Sequence, residues 1–212
     1  KSITVYDTCN NSKEENNMEN NIITISREFG SGGRTIAKKV AEKLGYTYYD
    51  KEIIEKVAES TGYTPEYIAE AGEYSPTGNI FSYAFVGRDQ SGVSAADYLW
   101  IAQQKLILSI AERESCVIVG RCADYILRDM EHVWNIFIHA PMADRARRIV
   151  EKYGERDMSP EKRLRDKDKK RSVNYKYYTD QEWGKSQNYH LTLDSSRLGI
   201  DKCIDIITGL VH

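Results

Sequence analysis

No apolar run in this sequence approaches the ~18 residues that a membrane-spanning helix needs. Cys116–Val119 is among the longest, and it stops at Gly120. Neither sign of charge dominates: 30 Lys and Arg nearly cancel 32 Asp and Glu, leaving a formal net charge of -2. That balance argues against a dedicated nucleic-acid binder. Cysteine is scarce, and Cys9, Cys116, Cys122 and Cys203 form no C-x-x-C pair. His132, His139, His190 and His212 show no metal-ligand spacing either. Both absences exclude a zinc ribbon or disulfide scaffold and point to reduced thiols in a cytosolic compartment. The start of the chain is polar, with six asparagines in residues 1–21 and no apolar secretory core. What remains is 212 residues, 41% hydrophobic and 29% charged, enough for one self-sufficient globular domain. The expectation is a cytoplasmic protein without membrane or nucleic-acid partners; self-association is left open.

Residues 1–21 read as a polar arm, with a short extended piece at Ile3–Val5, and 22–212 as a single domain. Ile22-Ile23-Thr24-Ile25 is a β-branched run that predicts a buried strand. A helix carrying Ile36, Val40 and Leu44 on one face follows and ends at Gly45. Tyr46–Tyr49, Cys116–Val119, Val133–Ile138 and Leu191–Leu193 predict further strands. Helices are predicted over Ile53–Glu59 and Ala95–Glu114, along the segment bearing Arg145, Arg147 and Arg148, after the Ser159 cap with Pro160, and over Ile200–Leu210. Such alternation predicts an α/β fold with a five-stranded parallel sheet covered by helices on both faces. Residues at about 60–95, with prolines and several glycines, read as an irregular insert. Ligands in such folds bind outside the carboxyl ends of the strands, so residues at strand ends become the candidates.

The richest strand end is Ser26-Arg27-Glu28-Phe29-Gly30-Ser31-Gly32-Gly33-Arg34-Thr35. Glycines allow successive N–H groups to converge on one point, and a helix start adds partial positive charge. Arg27 and Arg34 add full charges, so the segment has the chemistry of a phosphate cradle. It departs from the strict G-x-x-x-x-G-K-[ST] pattern, because Arg27 stands at the first glycine, Gly33 at the lysine and Arg34 at the hydroxyl residue, with Thr35 one step on. A ligand-free glycine turn is the plain alternative. A dinucleotide fingerprint is another, with Asp50 gripping a ribose, but Thr35 stands where that fingerprint needs Gly or Ala.

Two further groups carry charge. Gly120-Arg121 ends a strand and can point a guanidinium fork into the crevice, unless Arg121 is simply a structural ion pair. A basic stretch runs from Arg145 and Arg148 through Arg163 and Arg165 to Asp168 and Arg171, the last two sharing a helix face. Charged runs are commonly solvated helix surface. Cations on two successive helices flanking Gly154 also fit a hinged lid over phosphates, at about 150–170.

Together these residues resemble a known family. Ile-Thr-Ile-Ser-Arg-Glu-Phe-Gly-Ser-Gly-Gly-Arg (23–34), Tyr-Tyr-Asp-Lys-Glu-Ile-Ile (48–54), Val-Ile-Val-Gly-Arg-Cys-Ala-Asp (117–124) and Asp-Lys-Lys-Arg (168–171) look like the cytidylate kinase-like proteins among the P-loop nucleoside monophosphate kinases. The resemblance implies strand order 2-3-1-4-5, an acceptor-binding insert at about 60–95 that sets base choice, a short lid near 150–170, ATP and Mg²⁺ as donor and cofactor, and a pyrimidine monophosphate, CMP or dCMP, as acceptor. It places Gly30, Ser31, Gly32, Gly33, Arg34 and Thr35 on the donor phosphates, with the Thr35 hydroxyl near the metal. Asp50, Arg121 and Asp168 fall on the acceptor side, with Asp168 near the acceptor sugar, and Arg171 over the moving phosphoryl group. Cytidylate kinases carry Lys where Gly33 stands and an acid where Cys122 stands. Arg34 or Arg27 is therefore expected to supply the missing charge; a nucleotide-binding regulatory module is the alternative.

Overall fold

The computed structural model describes residues 20–66 and 95–211; the polar arm and most of the insert lie outside them. Ile22–Arg27 forms β1, whose six residues are all buried. A strand enclosed on both faces must be apolar on both, which is why β1 reads as a continuous run rather than an alternation. It pairs in parallel with β3 (Cys116–Val119) on one side and β4 (Val133–His139) on the other. With β2 (Thr47–Tyr49) and β5 (Leu191–Asp194) the sheet has five strands in the order β2-β3-β1-β4-β5. This order separates β2 from β1 by a whole strand. In a dinucleotide fold β2 lies directly beside β1, so that alternative fails on topology.

Helices cover both faces. On one side α1 (Gly33–Leu44) and α8 (Ile200–Thr208) pack Ile36, Val40, Cys203 and Ile207 against Ile23, Ile25, Val119 and Ile136. On the other, α2 (Glu52–Thr61) and α3 (Ala95–Arg113) pack Ile53, Val57, Ile107 and Ile110 against Ile22 and Ile118. A short turn of helix, α4 (Ala123–Ile126), follows β3. Then α5 (Met142–Tyr153) and α6 (Pro160–Thr179) flank the carboxyl ends of the strands and enclose a small core of Ala146, Ile149 and Leu164. The expected Ser159 cap is present, its hydroxyl accepting from Lys162 N–H, with Pro160 opening the helix. After β5 comes α7 (Ser195–Leu198).

One boundary differs with consequence. β1 was expected to stop at Ile25, yet it runs on to Arg27, which sits in register with Ile138 of β4. β4 carries the ladder past the last apolar residue, whereas the pairing with β3 ends at Ile25, and so Arg27 is a buried strand residue rather than a loop residue.

Candidate functional site

The segment Glu28–Gly32 leaves β1 and arches into α1. Gly30 (φ +80) and Gly32 (φ +83) both occupy the left-handed region, which lets the chain fold back above the sheet. Three arginines hold it from outside through alternate carbonyls. Arg171 Nη1 donates to Arg27 O at 3.1 Å, Arg145 Nη1 to Phe29 O at 3.2 Å, and Arg148 Nη1 to Ser31 O at 3.3 Å. Ser195 of α7 adds a hydrogen bond from its hydroxyl to Ser31 O at 2.5 Å. Carbonyl dipoles are thus drawn toward α5, α6 and α7. The start of α1 is left to face an open cavity of about 380 Å³. Gly30, Gly32, Gly33, Arg34 and Thr35 line that cavity; Ser31 is fully buried behind it.

Arg145 and Asp168 were expected on a lid and at the acceptor sugar; both lie under the loop. Asp168 Oδ1 accepts Phe29 N–H at 2.7 Å, and Oδ2 lies 2.5 Å from Arg145 Nη1. Arg145 also faces Glu28 Oε2 at 3.3 Å, and Glu28 in turn accepts Ala140 N–H at 3.1 Å. Only 6% of the Arg145 side chain is exposed, so it is an internal strut and not a mobile lid cation. Arg148 lines the cavity while holding Ser31 O and Ser195 Oγ. Arg165 is exposed and does not line this cavity.

Asp50, at the end of β2, is 7% exposed and engaged by Arg34 through two contacts, Nε to Oδ2 at 2.6 Å and Nη2 to Oδ1 at 3.1 Å. Arg27 Nη2 lies 3.9 Å from the same Oδ1. Burial and the neighbouring Asp50 carboxylate push the Tyr48 phenol up to about 12. A second, much smaller cavity of about 40 Å³ lies behind Arg27, between Gly120, Arg121 and Cys122 on one side and Arg171, Asn174 and Tyr175 on the other. Gly120, Arg121 and Cys122 all have positive φ (70°, 59° and 54°), a conformation that strains the two non-glycine residues and aims this turn into the crevice. Burial drives the Cys122 thiol above its ordinary value, which removes it as a nucleophile. Arg27 and Arg171 are the two residues common to both cavities. On the opposite flank, Phe29, Arg34 and Tyr153 connect the first cavity to an outer crevice of about 470 Å³ that also bears Arg156, Arg163, Lys167 and Lys170. The Phe29 and Tyr153 rings there are 6.1 Å apart and 19° from parallel.

A glycine arch on a helix start, cations around it, and a sheet of order β2-β3-β1-β4-β5 describe a phosphate-handling α/β domain. The cytidylate kinase-like family model matches residues 22–197, most of the chain. The chain belongs to the cytidylate kinase-like family. Among relatives, a cytidylate kinase of Methanopyrus kandleri is 24% identical over 199 residues, covering 90% of this chain and 92% of that protein. A crystal structure of an uncharacterized protein from Eubacterium ventriosum shares 27% identity, covers 90% of this chain and 98% of that one, and superposes with a TM-score of 0.68. Shikimate kinase from Bacteroides thetaiotaomicron, at 16% identity, 90% and 98% coverage and a TM-score of 0.51, shares the fold. The chain is therefore kinase-like and has the three-layer α/β architecture of P-loop kinases.

Sequence reasoning missed several members of this site. Glu28, Ser195 and Asp124 were not singled out. Asp124 is buried below the small cavity, its Oδ2 accepting the Tyr175 hydroxyl at 2.7 Å, and burial pushes its carboxyl up to about 6 despite that bond. The signal for the inner wall was nonetheless present. Leu164, Asp168, Arg171 and Tyr175 follow the 4-3-4 spacing of one helix face, which turns all four toward the sheet.

Proposed function

We propose that this protein transfers the terminal phosphoryl group of ATP to a nucleoside monophosphate, with CMP or dCMP as the acceptor. The observation that carries this reading is the pair of cavities meeting at Arg27 and Arg171, one walled by the glycine arch and one by Gly120–Cys122. Transfer between two bound anions needs a donor cradle, an acceptor pocket and cations at their junction. It needs little covalent chemistry from the protein. The name of the Methanopyrus kandleri relative supports the acceptor class.

In this reading the arch and the N-terminus of α1 receive the donor phosphates through Gly30–Thr35. Arg121 takes the acceptor, while Asp50 and Asp168 act through the arginines they hold. No group of three or more His, Cys, Asp or Glu that could hold a metal occurs among the described residues. The residues present fit a Mg²⁺ ion carried in by the donor phosphates, with the exposed Thr35 hydroxyl at the cavity wall as the protein ligand. Such an ion would neutralise negative charge on the donor phosphates. Among the described residues no helix is long and apolar enough to cross a membrane. Cytoplasmic nucleotides are the substrates of this reading.

The test is ADP release and product identification with ATP, Mg²⁺ and each of CMP, dCMP, UMP and AMP. Formation of CDP or dCDP is the expected result. ATP binding without turnover of any monophosphate would make the protein a nucleotide-binding regulatory module. ADP release driven by shikimate or gluconate would keep the kinase and overturn the acceptor.

A further inference from the structure

We propose that the cation and the glycine of the phosphate cradle have exchanged places in this chain, so that Arg27 does the work a lysine at position 33 would otherwise do, and Arg34 does not. The inference rests on the phosphoryl-transfer reading above and names the residue that makes it feasible.

In the strict pattern the first glycine stands six residues before the lysine. Here those two positions are Arg27 and Gly33. The structure shows why the two changes belong together. A Cβ on Gly33 would lie 2.5 Å from Arg27 Cβ and 2.9 Å from Arg27 Cγ. The collision is with the root of the side chain, which no change of rotamer moves away. A side chain at 33 and a side chain at 27 are therefore mutually exclusive on this backbone. The far end of Arg27 is accommodated in the same way, because a Cβ on Gly120 would strike Arg27 Nη1. Glycine at 33 and at 120 leaves a channel that the Arg27 side chain fills.

Placement then decides between the two candidate arginines. Arg27 is 9% exposed and lies on the wall shared by the donor cavity and the small cavity, with Asp50 as counter-ion at 3.9 Å. A cation fixed there faces the group that moves between the two, and its low exposure means little rearrangement when charge shifts. Arg34 has 43% of its side chain exposed, is committed to Asp50 through two contacts, and borders the outer crevice rather than the small cavity.

The deciding experiment restores the strict pattern. Arg27→Gly should lower kcat at least 100-fold with little change in the Kd for ATP. Gly33→Lys alone should lose activity and several degrees of melting temperature. In the Arg27→Gly background the same Gly33→Lys change should cost no further melting temperature and should recover kcat at least tenfold. Arg27→Ala/Gly33→Lys keeps the Cβ collision and should not recover, and Arg34→Met should act mainly on the KM for ATP, with a far smaller loss of kcat than Arg27→Gly. Near-normal kcat in Arg27→Gly, equal harm from Gly33→Lys in both backgrounds, or a comparable loss in Arg34→Met would each overturn the exchange. Should the wild type turn over no monophosphate, the function reading falls, and the exchange is judged on affinity for Mg-ADP with aluminium fluoride, a mimic of the moving phosphoryl group. A tenfold loss in Arg27→Gly that the double variant regains supports it, and equal affinity in all variants overturns it.

Discussion

Asp168→Asn separates two roles for this residue, strut of the glycine arch or ligand of the acceptor sugar. The amide oxygen can still accept Phe29 N–H, which in the wild type reaches Asp168 Oδ1 at 2.7 Å. What is lost is the negative charge 2.5 Å from Arg145 Nη1 and 3.7 Å from Arg171 Nη1. Arg145 keeps Glu28 at 3.3 Å, yet its side chain is only 6% exposed and gains little from water in compensation. Removing one partner of a buried pair costs about 3–5 kcal/mol. With Asp168 16% exposed and Glu28 still present, the cost falls to the bottom of that range or just below it, about 2–3 kcal/mol. For a domain of this size that is a fall of roughly 5–10 °C in melting temperature. Thermal and urea melts of Asp168→Asn, Arg145→Met and the double variant should show a loss that is not additive, since the two side chains share one interaction. A loosened arch should also raise the KM for ATP. If Asp168→Asn melts with the wild type and only the acceptor KM rises, the strut argument is wrong and Asp168 belongs to the acceptor.

Asp124→Asn tests the buried carboxylate through pH. Because its folded value is raised to about 6 from 3.8, the folded state binds the extra proton between those values, and wild-type stability falls as pH rises through that window. The variant should therefore be the more stable at pH 7.5, by at most about 3 kcal/mol. That advantage should shrink to about half by pH 5 and close only below the unfolded value of 3.8, so a difference in melting temperature that stays constant from pH 7.5 down to about pH 4 would refute the assignment. At the arch, Gly30→Ala places a Cβ 2.9 Å from Ile149 Cγ2 and 3.0 Å from Arg145 O at φ +80. Strain and overlap together should cost about 2–4 kcal/mol and weaken ATP binding measured by calorimetry; a wild-type melt would show that the arch gives way easily.

The layered sheet was legible because its signals are local. Apolar strand runs, Gly45 after a helix and Ser159-Pro160 before one each act within a few residues, and all appear where expected. The site was legible only in part. The sequence places Arg27 and Arg34 on either side of one glycine cluster and offers no reason to prefer either. The difference between them is depth. It follows from β4 extending the ladder to Arg27 and from the space that Gly120, 93 residues away, leaves open. Arg145 misled for the opposite reason. Three arginines in four residues look like a solvated surface, but Arg145 is four residues from the buried Ile149 and shares its inward face. The insert, on which acceptor choice was expected to depend, lies mainly outside the described residues.

The arginines bonded to carbonyl oxygens of Arg27, Phe29 and Ser31 bear on why so many cations surround one short loop. An arch that offers N–H groups to an anion must turn its carbonyls elsewhere. Buried carbonyls without donors each cost about 1–3 kcal/mol. Guanidinium groups satisfy them and at the same time raise the potential felt by the anion, an effect that water would supply only weakly. Glu28 and Asp168 offset the charges of Arg145 and Arg171, and Asp50 those of Arg27 and Arg34, which keeps like charges from driving the elements apart. The carboxylates near the cradle thus stabilise the cations rather than the substrate. Among the four cations Arg27, Arg34, Arg145 and Arg171, the pull of Asp50 and Asp168 weakens with distance. Arg27 lies 3.9 Å from Asp50 and Arg171 3.7 Å from Asp168, whereas Arg34 and Arg145 approach the same two carboxylates to 2.6 Å and 2.5 Å. The two arginines farther from these carboxylates are the two that border both cavities, which on the proposed function is where a phosphoryl group in transit would carry the charge that most needs them.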